Sequence, residues 1–167
     1  MPPLSKKLFY LCSFILSQQG NWCGVMLVKK KIKIDITELM NAFEGGSWEM
    51  KYYLDLKTGK IELISGCEED EELEQKIEDQ FNTRYISIPH IDSHESYRDM
   101  ERFIDTLEDV SLIEKLNIAL NGRGAFRRFK DVLLNYPSER EQWFKFKDEL
   151  IKERVMAWLE EEKIETK

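Results

Sequence analysis

Asn121-Gly122-Arg123-Gly124-Ala125-Phe126-Arg127-Arg128-Phe129-Lys130-Asp131 is the stretch around which the rest of the chain falls into place. Two glycines bracket an arginine, and glycine lets a backbone turn sharply or approach a neighbour closely. Upstream, Leu112, Leu116 and Ala119, with Ile113 and Leu120, form an apolar stripe at helical spacing. Gly122 is placed to end that helix in the left-handed conformation. Downstream, Phe126, Phe129 and Leu133 recur at i, i+3 and i+7 and read as the core face of a second helix, from about Gly124 to Asn135 and stopped by Tyr136-Pro137. The stretch therefore reads as a corner between two helices.

Two more helices flank this pair. Tyr97, Met100, Phe103, Ile104 and Leu107 make the stripe of an earlier one, and a long last helix from Ser138 to about Glu162 carries Trp143, Phe146, Leu150, Val155, Trp158 and Leu159. Four helix starts show a cap residue followed three positions later by glutamate: Asp35/Glu38, Asp92/Glu95, Ser111/Glu114 and Ser138/Glu141. That spacing lets the cap satisfy an open helical N–H while the glutamate reaches back to the N–H of the cap.

The N-terminal half has a different period. Met50, Tyr52, Leu54 and Leu56 alternate with Glu49, Lys51, Tyr53 and Asp55, as in a strand with one buried face. Lys57-Thr58-Gly59-Lys60 supplies a turn, and Ile61 and Leu63 return as a second strand. Asp55, on the polar face, is expected to stabilise that turn. Arg84 to Ile88 reads as a third strand, stopped by Pro89. A short helix over 36–44 precedes the hairpin and ends at Gly45-Gly46. Residues 68–79 are strongly acidic, with Leu73, Ile77 and Phe81 as a thin apolar stripe. They are expected to form a loosely docked helix with a solvated face. Were it to pack on the basic corner as an internal mimic of a bound anion, removing it would raise affinity for polyanions. The fold class is α+β: a small antiparallel sheet of about three strands (hairpin 48–56/60–65 plus 84–88) with a C-terminal helical half of four helices.

Composition bounds the function classes. With 42% apolar and 34% charged residues in 167, the chain has the make-up of a globular protein with a sizeable core. A net charge of −7 argues against a general nucleic-acid coat, which needs a broad basic surface. Cys12, Cys23 and Cys67 form no CxxC pair, so neither a disulfide framework nor a zinc site follows, and a reducing cytoplasm is the expected location. Residues 1–25 read as a non-native or disordered extension. Lys6-Lys7 and the apolar run from Leu8 to Leu16 look like a signal sequence but are too short to span a membrane and lack a cleavage site. The expected single α+β domain is 26–167, with Met26 as its natural start.

The corner holds the strongest chemical signal. Open N–H groups at a helix start attract an anion, and arginine forks suit phosphate or carboxylate. Gly122, Arg123, Gly124, Arg127, Arg128 and Lys130 are therefore candidate ligand-binding residues, with Arg98 and Arg102 extending the patch if their helix packs alongside. The structural alternative is plain: Arg127 can pair with Asp131 at i+4, leaving Arg128 and Lys130 as solvated charges. The two helices also have helix-turn-helix dimensions, against which stand Leu134 and the net acidity. His90 and His94 crowd Asp92 and Glu95, yet the cap explains those acids without a metal. No nucleophile elbow, phosphate loop or dinucleotide fingerprint is present. No catalytic residue, metal or cofactor is assigned.

Several stretches together resemble the bacterial proteins grouped as uncharacterised protein family 0158. They are Tyr53-Leu54-Asp55-Leu56 with Thr58-Gly59, Arg84-Tyr85 through Ile88-Pro89, and Asp92-Ser93, Glu95, Tyr97, Met100 and Phe103-Ile104. The most specific is Ala119 to Asp131, followed by Tyr136-Pro137, Trp143-Phe144 and Trp158-Leu159. The resemblance runs from about residue 30 to the end, in keeping with a start at Met26, and implies no catalytic or binding residues. The leading expectation is a non-enzymatic binding or regulatory module for an anion, such as a nucleotide or a phosphorylated partner. The first alternative is a protein–protein adaptor using exposed aromatics of the last helix (Trp143, Phe144, Phe146, Trp158), which cannot all face one core stripe. A nucleic-acid binder comes next, then an enzyme, whose sign would be a deep pocket joining charged residues from different segments. No membrane partner is expected.

Overall fold

The computed structural model describes residues 30–47, 49–66 and 70–166; the expected extension over 1–25 lies outside the described residues. The order is β1 (Lys30–Ile32), α1 (Ile36–Gly45), β2 (Met50–Asp55), β3 (Ile61–Ser65), α2 (Glu71–Asp79), β4 (Tyr85–Ser87), α3 (Ser93–Ile104), α4 (Val110–Leu120), α5 (Ala125–Leu133), α6 (Pro137–Glu161) and β5 (Ile164–Thr166). The α+β class and the three-stranded antiparallel sheet are as expected. Its order is β3-β2-β4, with Tyr53 opposite Glu62 on one side and Ser87 on the other. A second, parallel pair joins β1 to β5, with Lys30 opposite Ile164, and ties the two ends of the described chain together.

Two of the four expected caps, Asp35 and Asp92, begin helices, and of these Asp92/Glu95 forms the full capping box. Asp35 accepts from the N–H groups of Thr37 and Glu38. Asp92 accepts from Glu95 N–H at 2.7 Å, and Glu95 accepts in return from Asp92 N–H at 3.3 Å. The other two helices start earlier than expected. Asp109 caps α4 by accepting from the N–H groups of Ser111 and Leu112, because its carboxylate reaches both open donors. In α6, Pro137 takes the first helical position and Tyr136 precedes it. Proline has no N–H to leave open there and its φ is already helical.

The expected polar-face placement of Asp55 is also corrected. Its side chain is only 2% exposed, because β4 brings Arg84 alongside, whose guanidinium donates to both carboxylate oxygens at 3.0 and 2.7 Å. The turn contact is present as well: Lys57 N–H donates to Asp55 Oδ1 at 2.8 Å.

Apolar residues gather in two cores. The first joins Leu39 and Phe43 of α1, Leu54 and Ile86 of the sheet, Ile164 of β5 and the second half of α6 through Ile151, Val155, Trp158 and Leu159. The second joins α3, α4, α5 and the first half of α6, with Phe103, Leu112, Leu116, Phe129, Leu133 and Trp143 at its centre. Within it the Trp143 ring meets Phe103 and Phe129 edge-on at centroid distances of 5.3 and 5.1 Å. α6 is thus the spine shared by both. The acidic α2 buries Ile77 alone among its residues. It lies beside the sheet: burial first, then Glu74 and Glu78, push the Tyr53 phenol above its ordinary value, and Phe81 meets the Tyr53 ring edge-on. This placement does not put the acidic helix on the basic corner. Among the described residues no helix is long and apolar enough to cross a membrane.

Candidate functional site

At the corner, α4 ends at Leu120, and both Gly122 (φ 90°) and Gly124 (φ 76°) occupy the left-handed region expected of glycine. Gly124 precedes α5 as its N-cap and offers no side chain to the first open N–H groups. The cations then diverge. Arg127 stands 89% exposed, 3.7 Å from Asp131, as the i, i+4 alternative anticipates. Arg128 folds back over α4, where its Nη2 donates to the Asn121 carbonyl, while its buried Nε has no hydrogen-bond partner among the described residues. Arg123 is exposed in the turn, and Lys130 faces another way altogether. Arg98 and Arg102 are exposed on α3. The contact α3 makes with the corner runs through Tyr97, whose hydroxyl donates to the Leu120 carbonyl at 3.4 Å.

Lys130 instead lines a cleft of about 180 Å³ between the two cores. Its floor is Met100, Phe129, Trp143 and Ile151, and its mouth carries Phe126 of α5 and Phe144 of α6. These two rings are 41% and 46% exposed. Sequence spacing assigned Phe126 to the core, but the buried face of α5 is Ala125, Phe129 and Leu133, at i, i+4 and i+8. That shift turns Phe126 outward. Of the four aromatics proposed as exposed on the last helix, Trp143 and Trp158 are buried, Phe146 is half-buried, and Phe144 is exposed.

Charged groups from separate elements border the cleft. Lys147 donates to Glu44 at the end of α1, bridging the opening. Asp99, 4% exposed, accepts two hydrogen bonds from Arg154 at 2.8 and 2.7 Å, a forked pair that links α3 to α6. Asp99 holds the Arg154 guanidinium above its ordinary value. The sequence reading missed this pair, although both residues sit on the apolar side of their helices, Asp99 one turn before Phe103 and Arg154 one turn after Ile151. An acid and an arginine on facing apolar stripes are a signal worth reading. Among the described residues, no three histidine, cysteine, aspartate or glutamate side chains gather in a way that could hold a metal.

These features define an α+β protein with two cores and an aromatic-mouthed cleft between them. The chain belongs to the Uncharacterised protein family (UPF0158), which matches residues 29–167. It is 32% identical over 136 residues to a UPF0158 protein of Pseudomonas aeruginosa, covering 81% of this chain and 87% of that one. UPF0158 proteins of Chlamydia trachomatis and Chlamydia pneumoniae are 29% and 30% identical over 128 and 132 residues. Those matches cover 74% and 77% of this chain but only 39% and 40% of the chlamydial proteins. No solved structure matches the chain.

Proposed function

We propose that this chain is a binding module, and that a protein partner seats one large apolar side chain in the cleft between α3, α5 and α6. The observation that carries the reading is two half-exposed phenylalanines, Phe126 and Phe144, at the mouth of a cleft floored by buried Phe129 and Trp143. Aromatic anchors in desolvated pockets supply much of the energy of protein interfaces. Size favours a side chain over a nucleotide: about 180 Å³ falls below the roughly 300–1,000 Å³ of small-molecule sites. The ionised groups favour binding over turnover, since Asp99 is held by Arg154 and Lys147 by Glu44. In the chlamydial relatives the matching stretch stands within longer chains, which suits a module.

Short peptides with a central Trp, Phe, Leu or Ala test the reading, with the Trp143 indole N–H as NMR reporter. The three bulky peptides should shift that signal, the Ala peptide should not, and Phe144→Ser should abolish the response. A silent Trp143 signal with every peptide overturns it. The second reading is an anion at the Gly122–Asp131 corner, supported by the uncapped start of α5 beside Arg123. Inorganic phosphate in the same titration would then move the Arg123 and Ala125 amides and leave Trp143 still.

A further inference from the structure

We infer that the partner segment is acidic, with carboxylates flanking its anchor residue. This rests on the docking reading and adds the chemistry of the partner to it. The chain as a whole is acidic, with a formal net charge of −7, yet the mouth of the cleft is locally cationic. Lys130 lines it without an ionic partner among the described residues. Lys147 lines it too, offset by Glu44. Arg140 lies over the Phe144 ring, its guanidinium carbon 5.6 Å from the centroid. Of the other acids near the floor, Asp99 is buried and neutralised by Arg154. Both acids that line the cleft, Glu44 and Asp99, are thus paired, while Lys130 and Arg140 stand beside the two phenylalanines with no ion pair among the described residues.

The arrangement separates two tasks. The apolar floor desolvates the anchor, and the cations at the rim read the residues on either side of it. Charges at an interface rim act mainly on specificity and association rate, and their effect is screened by salt. A basic segment with the same anchor would meet repulsion at Lys130 and Arg140. Arg140 has a further geometric role, because stacking on Phe144 orients that ring at the mouth.

Three peptides of equal length test this, each with one central Trp, flanked by Glu, by Gln or by Lys. Binding is read from the Trp143 indole N–H of the full chain at low and at raised salt. The Glu-flanked peptide should bind about tenfold more tightly than the Gln-flanked one at low salt, with the gap closing as salt rises. The Lys-flanked peptide should be weakest. Lys130→Glu combined with Arg140→Glu should reverse the order, and both positions are exposed, so the fold should survive the change. Equal affinities for the three peptides overturn the acidic partner while leaving the docking cleft in place. No response to any of them, with a folded protein, overturns both.

Discussion

Asp55 shows how one buried carboxylate couples stability to pH. The forked hydrogen bonds from Arg84 hold its carboxyl well below the usual carboxylate range, opposed by burial and aided by Lys57 N–H. A group depressed on folding contributes stability above its unfolded pKa, and that contribution is lost as pH falls through the folded value. The stability gap between wild type and Asp55→Asn should therefore be widest near neutral pH and narrow below about pH 4, the unfolded value. Urea midpoints across that range measure it, and a constant gap would show that the pair contributes no pH dependence. Asp99–Arg154 makes a different prediction. Removing Arg154 leaves a buried charge without its partner, so Arg154→Ala should cost about 3 kcal/mol in urea unfolding. Replacing both partners by apolar residues should cost less, because no charge is then stranded.

At the scale of elements, two left-handed glycines should respond very differently to the same change. A Cβ on Gly124 meets nothing within 4 Å, so Gly124→Ala carries only the backbone penalty of its φ, about 1–2 kcal/mol. A Cβ on Gly59 would lie 2.0 Å from the Lys33 carbonyl oxygen, a backbone atom that cannot swing aside. Gly59→Ala should destabilise well beyond Gly124→Ala in paired denaturation curves, and equal costs would contradict the packing of the hairpin turn on the segment after β1. Helix α2 is held differently again. With Ile77 as its one buried residue, it should open locally. Hydrogen exchange should find its amides less protected than those of α1 or α6.

For the molecule as a whole, the question is whether two cores make two folding units. α6 belongs to both, through Trp143 on one side and Ile151 to Leu159 on the other, so neither core can lose it alone. One cooperative transition is expected. Phe103→Ala in the helical core and Leu39→Ala in the sheet core should each cost about 2–5 kcal/mol and lower the same midpoint. Trp143 and Trp158 report on the two cores separately, and their indole signals should disappear at one urea concentration. Two separate midpoints would make the cores independent.

The hairpin was readable from residues alone because apolar and polar residues alternate through β2 and a glycine turn follows, although burial does not keep that period: Met50 is exposed and Asp55 is buried. The helices were readable because a cap and an apolar stripe are local properties, as at Asp35 and Asp92. Ser111 and Ser138 misled for an equally local reason: Asp109 and Pro137 compete for the same starts and suit them better. The β1–β5 pair was invisible, since three residues carry no period and their partner lies at the other end of the chain. The cationic stretch at 121–131 was seen, but not that its charges part company around α5. Nor could the cleft be seen. It exists because α3, α5 and α6 meet between two cores, and the exposure of Phe126 depends on which neighbours that packing leaves it. Local sequence encodes each element, and side chains from distant elements meet only after packing brings them together.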